Sequence, residues 1–228
     1  MARIAKIDNA IKKRFARKER SRFVDVKERR VYFLIICEGE KTEPNYFKGL
    51  KKDLPIGTLV VADMTIKGTG KNTESLIDFA IGYEKRSLQK FDRTWAVFDR
   101  DSFTEEQFNN AITRANGNQI NCAWSNEAFE LWFLLHFQLV TNGMSRDDYK
   151  SFLEREIKRV SKKEYQYKKN DINTYPTLKE FGDQIQAIKW AKTLKAQFTD
   201  SRHADHNPGT LVYLLVEELF NPQDLIKD

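Results

Sequence analysis

Residues Tyr32–Phe47 read YFLIICEGEKTEPNYF, an apolar run that ends abruptly in Glu38-Gly39-Glu40. Val31–Cys37 shows no polar alternation, which is the pattern of a central strand covered on both faces rather than one with a wet side. Acids are expensive inside a core, so the chain has to surface where the strand ends. Pro44 near the start of the next periodic segment, with Thr42 as its cap, predicts a helix through about Lys52. Strand, acidic turn and helix together open a βα unit.

The unit repeats. Thr58–Ile66 alternates as a second strand, the turn KGTGKNT follows, and Asn72 or Thr73 starts a helix to about Gln89. Arg93–Phe98 is a third strand. Thr104 to Gln107 (TEEQ) fits a capping box that opens a helix to about Ala115, and Gln119–Trp124 is a fourth strand. The order βαβαβαβ over residues 31–125 predicts an α/β fold with a mostly parallel, doubly wound sheet. After Ser125 only helices are expected. EAFELWFLLHF (Glu127–Phe137) is apolar around most of its circumference and predicts a buried helix. Ser145 to Asp148 starts another, Thr177 to Glu180 reads as a second capping box opening a helix to about Phe198, and Asn207-Pro208 begins a last apolar helix. The plan is a basic arm (1–30), an α/β core (31–125) and a helical extension packed on it (126–228).

Charge is distributed unevenly. Residues 1–30 hold 12 of the 39 Lys/Arg and 4 of the 33 Asp/Glu, which leaves a body with 27 basic and 29 acidic residues. Such an arm favours polyanions, and a solubilising tail is the plain alternative. Cys37 and Cys122 sit in strand-like surroundings without metal-binding spacing, so they read as buried free thiols in a reducing compartment. No secretory h-region and no run long enough to span a membrane is visible, which points to a cytoplasmic location.

The acids carry the chemistry. In an open parallel sheet the site lies at the carboxyl ends of the strands. Glu38 leaves the first strand there; Asp99 leaves the third, with Asp101 two positions on. Taken singly, each is an ordinary surface acid on a βα loop. Together they would repel one another unless a cation sat between them, and Mg²⁺ (or Mn²⁺) prefers such carboxylate oxygens. Gly39 suits a turn where backbone comes close to a ligand.

Glu38-Gly39 after a first strand, with Asp99-x-Asp101 after a later one, resembles the Toprim domain of topoisomerases, bacterial primases and OLD-type nucleases. ICEGEKTEPNYFKGL, VFDRD, SNEAFELWFLLHF and NPGTLVYLLVEEL, in that order, resemble the RloB family, which includes the AbiL-type abortive-infection component. The resemblance implies a Toprim-like core, a metal-dependent nuclease active on DNA or RNA (tRNA included), a role in phage defence, and association with a neighbouring-encoded ATPase or with restriction–modification components. Glu38 matches the Toprim glutamate, and Asp99 and Asp101 its DxD pair. Glu43 corresponds, one residue out of register, to an extra acid of OLD-type enzymes. Where the OLD-like block begins SNP, this chain has Ser125-Asn126-Glu127, which leaves Glu127 as a ligand or a helix cap. Glu130, in an apolar helix, needs a partner: Arg100 or an arginine of the helical part, or a metal as outer-shell support.

Phosphate contacts are expected from the arm and from Arg155–Lys169, a stretch with seven Lys/Arg and two Glu; the candidates are Lys41, Arg100, Lys162, Lys163, Lys168 and Lys169. Tyr165 to Lys169 (YQYKK) interleaves aromatics with cations as single-strand binders do, and a solvated helix end reads equally well. GTGKNT fails the phosphate-loop pattern at Asn72, His203-x-x-His206 lacks a second ligand pair for zinc, and His136 reads as a core histidine. Two other functions compete with the nuclease. One is a non-catalytic nucleic-acid- or ATPase-binding module. The other is a DxD phosphatase, disfavoured because its motif belongs on the first strand.

Overall fold

The computed structural model describes residues 30–56, 58–62, 73–100 and 103–225. Nearly all of the basic arm, the KGTGKNT turn up to Asn72, the expected strand residues 63–66 and Asp101 lie outside them.

The sheet is built around β1 (Val31–Cys37), which pairs in parallel with β2 (Thr58–Ala62) on one side and β3 (Arg93–Asp99) on the other. β4 (Asn121–Asn126) runs parallel to β3, and a two-residue β5 (Gly209–Thr210) closes that edge antiparallel, giving the order β2-β1-β3-β4-β5. Every β1 residue except Tyr32 is buried, as expected of a strand with both faces covered.

Side-chain alternation sorts the sheet into two cores. Val31, Phe33, Ile35, Cys37, Trp95 and Val97 share one apolar cluster with α1 (Thr42–Leu50). Leu34, Ile36, Ala96 and Phe98 point the other way, onto α2 (Thr73–Arg86) and α3 (Glu105–Gly117). The first crossover thus covers one face. The chain then returns past β1 over the opposite face to reach β3. That reversal places a switch point between the carboxyl ends of β1 and β3.

α4 (Glu130–Leu134), α5 (Arg146–Ser161), α6 (Thr174–Phe181), α7 (Gln184–Ala196) and α8 (Val212–Phe220) pack on the α1 face, and their apolar residues join the β1 cluster without a break. One buried link is polar: the Trp132 indole N–H donates to the Tyr46 hydroxyl at 2.8 Å. His136 is buried against the Trp132 carbonyl, 2.9 Å from Nδ1, and burial pushes its pKa down to about 4. Both cysteines are free and buried. Among the described residues no helix is long and apolar enough to cross a membrane.

Several expected boundaries move, each for a local reason. Thr42 does not cap α1; it is the first helical residue, and its hydroxyl donates to the Lys169 carbonyl at 3.0 Å. β4 begins two residues later than expected because Gln119, at φ 59°, is left-handed and ends the turn after α3. The apolar run 127–137 forms only the short α4 with turns around it. Thr177 lies inside α6, whose first turn holds Pro176, and the expected single helix breaks at Gly182. The side chain of Asp183 caps α7 instead, accepting from the Gln186 N–H at 2.9 Å. After Asn207-Pro208 the chain forms β5 before α8 starts at Val212. The capping boxes at Thr104 and Ser145 are both formed.

Candidate active site

β1 and β3 leave the sheet side by side. The Glu38 N–H donates to the Val97 carbonyl at 2.9 Å, which extends the β1–β3 ladder to its acid. Asp99 is the last residue of β3. Glu38 and Asp99 therefore face one cavity of about 500 Å³, which Glu43, Glu130, Arg146 and Lys169 also line. Gly39 sits against Glu43: a Cβ at Gly39 would fall on the Glu43 carboxylate, 2.7 Å from its Cδ. A side chain at this position would have to displace the Glu43 carboxylate.

Three of the five carboxylates that line the cavity are recessed, with Asp99 7 %, Glu43 5 % and Glu130 1 % exposed, while Glu40 is exposed. Asp99 Oδ2 accepts from the Arg146 guanidinium at 2.9 Å, and Glu130 Oε2 lies 3.8 Å from Arg146 Nε. Glu130 Oε1 accepts from the Tyr167 hydroxyl at 3.1 Å. Of the two arginine partners expected for Glu130, one from the helical part is therefore present; Arg100 pairs with Glu105 instead, at 3.7 Å. Glu43 Oε2 and Asp99 Oδ1 are buried and accept no hydrogen bond among the described residues. Burial, with Glu130 adding to it, pushes the Glu43 carboxyl up to about 7. Burial and the neighbouring Glu43 and Glu130 raise Asp99 well above the usual carboxylate range, against the pull of Arg146. Here desolvation and like charge outweigh one guanidinium.

The lysines divide. Lys41 and Lys169 are exposed at the cavity. Lys162 and Lys163 stand past the far end of α5, about 24 Å of helix away from Arg146 at its start. Along α5 the cations are already paired: Arg155 and Arg159 with Glu156, and Lys158 with Glu164. Tyr167 is neither a stacking platform nor a solvated helix end. It is buried, and with Thr42 and Asn45, which donate to the carbonyls of Lys169 and Asn170 at 3.0 Å, it straps residues 167–170 along the cavity. Glu127 is half-buried and does not line the cavity. His206 bonds to Asp200 at 3.0 Å and stacks on Phe198.

Arg146 is the site residue that sequence reasoning missed. It occupies the first helical position of α5, where the helix dipole disfavours a cation. A cation there was a signal that its partner lay elsewhere.

These elements define a doubly wound α/β protein with a recessed acidic site at its switch point, overlaid by a helical extension. The sequence matches the family model described as RloB-like protein over residues 33–219, and the chain belongs to that family. No curated protein and no solved structure matches the chain.

Proposed function

We propose that this protein hydrolyses phosphodiester bonds of nucleic acid at the β1–β3 switch point, as a Toprim-like, divalent-metal-dependent nuclease acting in phage defence. The observation that carries the reading is that Glu38 and Asp99 leave adjacent parallel strands and face the same recessed cavity. The sequence resemblance in residues 31–220 supports it.

The donor set suits Mg²⁺ or Mn²⁺, since it is built of hard carboxylate oxygens, and Asp99 Oδ1 and Glu43 Oε2 are buried acceptors without a donor among the described residues. Among those residues no three such groups converge closely enough to form a cage. Glu38, Asp99 and Glu43 would hold the ion, and Asp101, outside the described residues, would complete the set. When bound, the ion polarises the phosphate and makes hydroxide available near neutral pH. The chain's own residues do the rest: Gly39 keeps the turn clear for the Glu43 carboxylate, and Lys41 and Lys169 hold the backbone of the substrate at the rim.

A second reading, a nucleic-acid- or ATPase-binding module without catalysis, is favoured by the Arg146–Asp99 hydrogen bond, which already gives one strand-end acid a cation. Purified protein should be assayed on single-stranded and duplex DNA, bulk RNA and tRNA with Mg²⁺ or Mn²⁺, beside Asp99→Asn. Metal-dependent cleavage lost in the variant is the expected result. Binding without cleavage leaves the second reading, and cleavage retained by Asp99→Asn rules out this site.

A further inference from the structure

The guanidinium of Arg146 touches acids from two parts of the fold, Asp99 at the end of β3 and Glu130 at the start of α4. It lines the same cavity as Glu38 and Glu43, and its side chain is a quarter exposed while those of its two partners are at most a tenth. Glu130 does not depend on it alone, because the Tyr167 hydroxyl holds the other carboxylate oxygen. Asp99, by contrast, has no other hydrogen-bond donor among the described residues. Arg146 is therefore a long, partly exposed cation resting on an acid that the proposed reading assigns to a divalent ion.

We infer that Arg146 is a further phosphate-binding residue of this site and is held in reserve on Asp99: a divalent ion and the guanidinium compete for Asp99, and the displaced guanidinium turns to the substrate phosphate. This rests on the metal-dependent reading above. Two positive centres at one small carboxylate repel strongly where solvent is scarce, so an ion bound by Asp99 drives Arg146 away. Its planar fork then matches a phosphodiester as well as it matched the carboxylate. Glu130, still held by Tyr167, keeps a buried partner when Arg146 leaves. The consequence is coupling: the ion strengthens substrate binding through the arginine, and by linkage the substrate strengthens ion binding by the same factor.

The opposite role, in which Arg146 merely holds Asp99 in place for the ion, predicts the opposite sign. Removing an outer-shell partner weakens metal affinity about 10- to 100-fold. Removing a competing cation strengthens it, here by about tenfold or more. Mn²⁺ affinity should be measured by electron paramagnetic resonance on the full chain without nucleic acid, for the parent, Arg146→Lys and Arg146→Met. The expected order of affinity is Met tightest, Lys intermediate and parent weakest. Affinity for a fluorescent single-stranded oligonucleotide should also be measured with and without Ca²⁺. Ca²⁺ should raise it in the parent and raise it clearly less in Arg146→Met. Mn²⁺ affinity that is equal or weaker in Arg146→Met overturns the inference, as does a Ca²⁺ effect as large as the parent's. Either result leaves the metal-dependent reading standing. A parent that binds no divalent ion removes that reading, and the inference with it. Should Arg146→Met fail to fold by circular dichroism, Arg146→Met/Glu130→Gln, which removes one of the acids left behind, takes its place in both measurements. Tighter Mn²⁺ binding and a smaller Ca²⁺ effect than the parent's in that double variant support the inference, and the reverse of either overturns it.

Discussion

Asp99→Asn separates a carboxylate kept for chemistry from one kept for structure. The substitution preserves shape and leaves an oxygen to which Arg146 can still donate. What is lost is the charge assistance of that hydrogen bond, about 1 kcal/mol as the difference between charged and neutral partners. What is relieved is a charge that is almost fully buried and raised in pKa by burial, Glu43 and Glu130. Burial together with Glu43 and Glu130 outweighs the pull of Arg146, because the net shift of Asp99 is upward. Relief exceeds loss, so without metal the variant should be more stable than the parent by about 1–2 kcal/mol. For a chain of this size that corresponds to a rise in Tm of about 2–8 °C. Urea unfolding followed by far-UV circular dichroism, in buffer with EDTA, gives the difference. Mg²⁺ at about 100 times its Kd should then stabilise the parent by about 2.7 kcal/mol and the variant much less. A loss of more than about 1 kcal/mol in EDTA would refute the reasoning. Asp99 would then be the structural partner of Arg146, in line with the about 3–5 kcal/mol that breaking a buried ion pair costs.

Other measurements probe the rest of the molecule. His136 has a folded pKa of about 4 against an ordinary value of 6.5, so the unfolded chain takes up the proton first as pH falls. The stability it contributes is present above pH 6.5 and lost towards pH 4, about 3 kcal/mol in all. His136→Gln should flatten that part of the stability profile, and an unchanged profile would show that His136 is not its source. Tyr46→Phe leaves the buried Trp132 N–H without an acceptor and should cost about 1–3 kcal/mol in a urea melt; a neutral result would mean that the indole finds another partner. Deleting residues 1–30 removes a net charge of +8 and should flatten the salt dependence of nucleic-acid affinity with the fold intact. An unchanged slope would show that the arm makes no phosphate contacts.

Features that depend on neighbours within a turn or a strand were legible in the sequence. The continuous apolar run 31–37 marked a strand buried on both faces, and the capping box at Thr104 and the start read at Ser145 marked true helix starts. The abrupt acids after β1 and β3 marked the end of the sheet at which the acidic cavity lies. Thr177 shows the limit: it satisfies the same local pattern as Thr104, yet it lies inside α6. A cap is a weak preference that packing overrides, and here Gly182 and Asp183 make the break.

Periodicity and capping are set within a few residues, so the sequence by itself determined the βαβαβαβ order over residues 31–125. Partners far apart in the chain were decided by the tertiary structure alone. Arg146 lies 47 residues from Asp99, Tyr167 lies 37 from Glu130, and β5 pairs with β4 across more than 80. No local rule relates residues at such separations. They meet because the helical extension buries its apolar side chains on the α1 face of the sheet, and that burial carries Arg146, Tyr167 and Lys169 to the rim where Glu38 and Asp99 emerge.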